Sequence, residues 1–158
     1  MDSKTQEGLK EAFTYIETGN PEQARKILCS LMEYDFESRE LIFTTKCCSF
    51  WIQCIHELAD VENPLERGEK LLSEWKTYKT AIEQEEAPYE PALYAVQRGV
   101  FTLALENYSR LLDERDPMTR AEVYSKAGLC YKKLGQFENA KTCLTEANTV
   151  LNGQADNL

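Results

Sequence analysis

The chain has a single histidine, His56, in 158 residues. A Ser-His or Cys-His mechanism therefore has one candidate base, and it stands in the segment FWIQCIHEL among apolar neighbours, where a core position is the simpler reading. Positive charge is short as well: 18 Lys and Arg face 27 Asp and Glu, for a formal charge of −9. DNA, RNA and anionic lipid are all held largely through Lys and Arg, so they fall low among the candidate partners. No apolar run approaches the roughly 18 residues of a membrane-spanning helix, and the start, MDSKTQEGLKEA, lacks a basic stretch followed by an apolar one. The expected compartment is cytoplasmic, in which the six cysteines remain thiols. There is no glycine-rich phosphate loop and no Cys-x-x-Cys pair.

What remains is a folded composition, 42% hydrophobic and 28% charged, with 7 Gly and 5 Pro acting as punctuation. Period-two alternation is absent, whereas helical periodicity runs through the chain. In PEQARKILCSLMEY, Ala24, Ile27, Leu28, Leu31 and Met32 fall on one face of a helix that starts at Pro21, with Asn20 as its N-cap and Gly19 closing the helix before it. Asn63-Pro64 and Asp116-Pro117 open further helices, and Gly99 and Gly135 are each expected to end one helix shortly before the next begins. Pro88 and Pro91 predict a short or kinked helix. Short turns between such helices imply antiparallel pairs.

The second helix of each pair repeats a small residue: Ala24, Gly68, Ala104 and Ala140. Four positions on stand Leu28, Leu72, Tyr108 and Leu144, and three further on Leu31, Trp75, Leu111 and Ala147. In the last unit Tyr124, Ala127, Gly128, Tyr131, Ala140, Leu144 and Ala147 give the spacing aromatic, small pair, aromatic, small, large apolar, small. On these residues the chain resembles the tetratricopeptide repeat family, whose unit of about 34 residues is one helix pair. The resemblance implies an all-α fold in which antiparallel pairs stack as a right-handed superhelix of about four units and seven to eight helices. A single domain over 1–158 is expected, with units near 5–38, 39–82, 85–118 and 121–154. The last unit carries the pattern most fully, although Asn152 stands where the family often has proline; the earlier units are degenerate.

A helix over about 39–60 is the least ordinary element, since Leu41, Ile42, Phe43, Cys47, Cys48, Phe50, Trp51, Ile52, Cys54, Ile55 and Leu58 leave only a narrow polar stripe of Lys46, Ser49, Gln53, Glu57 and Asp60. Burial on several sides is expected, with Phe43 and Trp51 alternatively serving an interface with a partner or a second copy, so a homodimer stays open. Cys29, Cys130 and Cys143 are expected in apolar helical stripes. Cys47, Cys48, Cys54 and His56 do not make a metal site, because on one helix Cys47 and Cys54 are about 10 Å apart along the axis, too far for sulfurs sharing a zinc ion. The acidic run EQEE at 83–86 reads as a solvated helix end.

No catalytic residue, cofactor or metal is therefore expected, and the chain reads as a non-catalytic module. The resemblance implies a concave groove lined by first helices. Its residues here are Leu9, Phe13 and Ile16; Phe50, Gln53, Glu57 and Asp60; Tyr89, Leu93, Val96 and Gln97; and Glu122, Ser125, Leu129, Lys132 and Lys133. Members that clamp a C-terminal carboxylate use asparagine and basic residues at positions filled here by Leu93, Leu129 and Glu122, so that clamp is not expected. Residues 1–86 carry a net −8 and residues 87–158 a net −1, which suits a peptide or amphipathic helix bearing basic residues. Two functions follow: an adaptor or scaffold holding a partner segment, or a small acidic chaperone keeping an apolar client segment soluble before export or assembly.

Overall fold

The computed structural model describes residues 1–85 and 87–156. Among them are no strands and seven helices: α1 (Ser3–Glu17), α2 (Pro21–Met32), α3 (Arg39–Leu58), α4 (Pro64–Glu85), α5 (Glu90–Ser109), α6 (Pro117–Lys133) and α7 (Phe137–Asp156). Glu86, the end of the acidic run, lies outside the described residues.

Local chemistry sets most helix starts. The first N–H groups of a helix have no partner within it, and a side-chain oxygen just upstream supplies one. Asp2, Ser38 and Asp116 accept from the N–H groups of Thr5, Leu41 and Thr119 at 2.8, 3.3 and 3.0 Å. Asn63 Oδ1 accepts from both Leu65 and Glu66, at 2.8 and 3.2 Å. Asn20 occupies the cap position of α2 but does not cap with its side chain, which donates back to Thr18 O at 3.2 Å. Its own N–H is engaged in closing α1. Pro88 and Pro91 do not kink a helix either: Pro91 is the second residue of α5, where a missing N–H costs nothing.

Two helix ends share one device. Gly19 and Gly135 have φ of 81° and 80°, a region open to glycine at no steric cost. At the first, Asn20 N–H reaches Tyr15 O at 2.8 Å and Gly19 N–H reaches Ile16 O at 3.3 Å; at the second, Gln136 reaches Tyr131 O at 2.8 Å and Gly135 reaches Lys132 O at 3.1 Å. This 6→1 and 5→2 pairing turns the chain so that α2 packs on α1 and α7 on α6.

Gly99 behaves otherwise, and the expectation of a turn there is overturned. It lies in the middle of α5, which runs unbroken for 20 residues. Here glycine serves a close crossing: a Cβ would stand 2.6 Å from Ile16 O and 3.1 Å from Trp51 Nε1. The helix pair expected over 85–118 is therefore one long helix.

By their contacts the residues form two compact units, Met1–Asp60 with Ser73–Val100, and Val61–Leu72 with Phe101–Leu158. In the first, α3 packs on α1 and α2, burying Leu41, Phe43, Cys47, Cys48, Trp51, Ile52, Cys54 and Leu58. The Trp51 indole N–H donates to Ile16 O at 2.9 Å, supplying from another helix a partner for a C-terminal carbonyl of α1. Phe43 and Trp51 are 5% and 0% exposed, in keeping with the expected burial rather than with the alternative of an interface through them. Phe50 stacks on Tyr78 of α4, with centroids 4.0 Å apart and planes at 7°.

In the second unit Gly68 admits the Tyr108 ring, whose O–H donates to Glu69 at 3.1 Å; Lys126 Nζ of α6 meets the same carboxylate at 3.4 Å. Arg67 donates to the buried Asn107 Oδ1 and to Val61 O, each at 2.9 Å. All four repeated small residues, Ala24, Gly68, Ala104 and Ala140, are buried. The register that sets Gly19 on Gly135 also sets Gly8 on Tyr124 and Leu31 on Ala147. A Cβ on Gly8 would meet Leu31 at 2.5 Å, so the first pair uses small against large where the last has large and small exchanged.

Candidate functional site

The α6–α7 pair is close because small residues lie along it. Ala121, Val123, Ala127, Gly128 and Cys130 are the buried residues of α6, and on α7, which packs against it, Ala140, Cys143 and Ala147 are buried in turn. A Cβ on Gly128 would be 3.0 Å from Leu144 and 3.3 Å from Ala140 O. With that side occupied, helical spacing turns Glu122, Ser125, Leu129, Lys132 and Lys133 outward, and all five are exposed. Leu129, 39% exposed, is the apolar centre of a charged face. Lys132 and Lys133 sit in the last turn, where the helix dipole favours cations.

Beside this face a cleft of about 600 Å³ opens between α6 and α7, lined in part by Met118, Glu122, Ser125, Leu144 and Leu151. Met118, Leu144 and Leu151 are 58%, 42% and 41% exposed. Sequence reasoning missed this surface because it assigned Leu144 to the repeating core. The available signal was the seven-residue spacing of Leu144 and Leu151, an apolar stripe broader than one packed neighbour requires.

Residues 121–150 match the family model of the tetratricopeptide repeat. The segment is similar to a tetratricopeptide repeat. No curated protein and no solved structure matches the chain. The matched residues lie within the α6–α7 pair, whereas the expected third unit holds the single long helix α5. Tetratricopeptide repeats generally serve as surfaces for other proteins, and the match suggests such a role for this segment.

The first unit gives the groove positions carried over from the family a different fate. Leu9, Ile16, Leu93 and Val96 are 0–2% exposed and belong to the core. The first half of α5 is buried there, so Leu93 and Val96 hold helices together and offer no surface. Phe13 and Tyr89 are half-buried against each other, their ring centroids 6.3 Å apart; Gln97 is half-buried too. Phe50 is held by its Tyr78 stack. Gln53 is exposed and donates to Glu57 Oε1 at 3.1 Å, and Asp60 is exposed beyond the end of α3.

His56 is not among core residues as expected: its side chain is 66% exposed, with Nε2 3.6 Å from Glu22 Oε1. It lies on the rim of α3 because the buried positions 51, 52, 54 and 58 leave 53, 56 and 60 facing out. Cys29 is also exposed, contrary to expectation. Cys48 Sγ donates to Pro21 O and Cys54 Sγ to a Glu74 carboxylate, both at 3.1 Å. Burial pushes the thiols of Cys47, Cys48 and Cys130 up to about 12, so they stay protonated at neutral pH and are poor nucleophiles. Burial and the Glu69 carboxylate likewise push the Tyr108 phenol upward. Among the described residues no group of three or more His, Cys, Asp or Glu is arranged to hold a metal ion. Among them, too, no helix is long and apolar enough to cross a membrane.

Proposed function

We propose that the protein is a non-catalytic adaptor that binds a segment of a partner protein along the outward face of α6. The observation that carries this reading is Leu129: a leucine 39% exposed at the centre of Glu122, Ser125, Lys132 and Lys133, on the helix whose other side is fully used in packing. An apolar centre ringed by polar groups is the usual anatomy of a binding patch, the centre supplying affinity and the rim orientation. Acid at Glu122 and base at Lys132 and Lys133 select an amphipathic segment with charges of opposite order along its length.

A photo-crosslinking side chain placed at Ser125, followed by mass spectrometry of the captured peptide, tests this directly. The expected result is one defined partner segment, lost in Leu129→Glu while the helical circular dichroism is unchanged. Capture that survives Leu129→Glu would remove α6 as the binding face. The second reading, a chaperone for an apolar client, is favoured by the exposed Met118, Leu144 and Leu151 in the neighbouring cleft. It predicts a client released on export or assembly, whereas an adaptor keeps a stable stoichiometric complex.

A further inference from the structure

A second surface lies on the first unit, independent of the α6 reading. The five residues Glu33–Tyr34–Asp35–Phe36–Glu37 between α2 and α3 carry three acids and two aromatics, and both rings are 69% exposed. The segment is held in place: the N–H groups of Tyr34 and Asp35 both reach Leu31 O at 3.1 Å, and Ser38 N–H reaches Asp35 O at 3.3 Å. Its rings are thus displayed by an ordered turn. The same turn leads into the first turn of α3, where a cleft of about 530 Å³ opens between Arg39, Glu40, Ile42 and Phe43 on one side and Pro88 and Tyr89 on the other. Ile42 stands 36% exposed at its lip, while Phe43, 5% exposed, belongs to the packed interior.

Charge decides what fits. Glu33, Asp35, Glu37 and Glu40 outnumber Arg39, within a segment 1–86 of net −8. The Tyr34 ring already holds a cation, the Lys4 ammonium 3.7 Å from its centroid. Phe36 has the same exposure in the same turn and no such cation among the ring contacts of the described residues. Nucleic acid, a polyanion, would be repelled from the patch.

We infer that the turn 33–37 and the cleft beside it dock a basic peptide segment of a partner protein, with arginine or lysine side chains over Phe36 and among the carboxylates, and an apolar side chain against Ile42. Fluorescence anisotropy of a labelled 12-residue peptide alternating Arg and Leu tests this, beside a Glu and Leu peptide of equal length. The Arg peptide should bind and the Glu peptide should not. Phe36→Ser and Ile42→Ser, both at exposed positions, should each weaken binding by about tenfold or more, and Asp35→Lys should do so with a flatter salt dependence. Tyr94→Ser, an exposed aromatic on α5, and Glu11→Lys, an exposed acid on α1, should leave binding within twofold. Equal loss in Glu11→Lys and Asp35→Lys, or no loss in Phe36→Ser, would mean diffuse attraction to an acidic protein and would overturn the assignment. A dimer in sedimentation that Phe36→Ser dissociates would overturn it as well, by making the occupant a second copy.

Discussion

Replacing Gly99 with alanine separates two opposed effects at one atom. In the interior of an exposed helix this change gains about 1 kcal/mol in helix propensity. At Gly99 the added Cβ would stand 2.6 Å from Ile16 O and 3.1–3.2 Å from the Trp51 indole. Ile16 O is backbone and cannot swing aside, so α1 or α5 must shift, which costs about 1–3 kcal/mol by overpacking. The shift also lengthens the 2.9 Å bond from Trp51 Nε1 to Ile16 O, adding about 1–3 kcal/mol for a buried bond lost. The net expectation is a destabilisation of about 3 kcal/mol, or roughly 6–12 °C in Tm for a chain of this size. Urea unfolding followed by tryptophan fluorescence and circular dichroism reads it. Gly153→Ala, with nothing within 4 Å of the new Cβ, is the control and should gain up to about 1 kcal/mol. In a Trp51→Phe background the Gly99→Ala penalty should shrink, because the hydrogen bond is already gone. Gly99→Ala as stable as the parent would refute the close crossing and return Gly99 to an ordinary helix position.

Four further outcomes follow from packing and capping. Ala140→Trp forces an indole where α7 meets α6, and should lower Tm by about 2–12 °C, the equivalent of the about 1–3 kcal/mol that overpacking costs; an unchanged melt would break the repeat alignment. Under native conditions Cys29 should react first with a maleimide, and all six thiols only in guanidinium; rapid labelling of Cys47 or Cys130 would contradict their burial. Because the thiols of Cys47, Cys48 and Cys130 are raised from 9.0 to about 12, the native state holds protons that the unfolded state releases. Stability should be complete below pH about 9 and decline as pH rises toward 12, a limb that Cys130→Ala shallows. The Asp116 carboxyl is held below its ordinary value by hydrogen bonds from Thr119. The cap it provides is present above that ordinary value and lost as pH falls through the lowered one, so Asp116→Asn should flatten the acid limb of a melting series.

Helix identity and most helix ends were legible from the chain alone because they are decided within a few residues. Asp116 before Pro117, Asn63 before Pro64, and Gly19 and Gly135 at φ near 80° each act on N–H and carbonyl groups in their own turn. The repeated small residues were equally readable, since a Cβ at Gly68 or Gly128 is judged against a neighbour that the same spacing supplies. On the candidate site, the outward face of α6 could be read because its unit keeps the family spacing.

What the linear order could not convey is which neighbour occupies the space beyond a side chain. Gly99 has the same chemistry as Gly135, yet one admits a tryptophan and a carbonyl from other helices while the other turns the chain. Leu93 and Leu129 held equivalent places in the repeat register and ended 2% and 39% exposed. His56 and Cys29 stand in solvent because the helices packed beside α3 and α2 cover the adjacent positions instead. Hydrogen bonds within a turn are local and so are written in the sequence; burial depends on distant residues arriving at one point, and only the tertiary structure decides it.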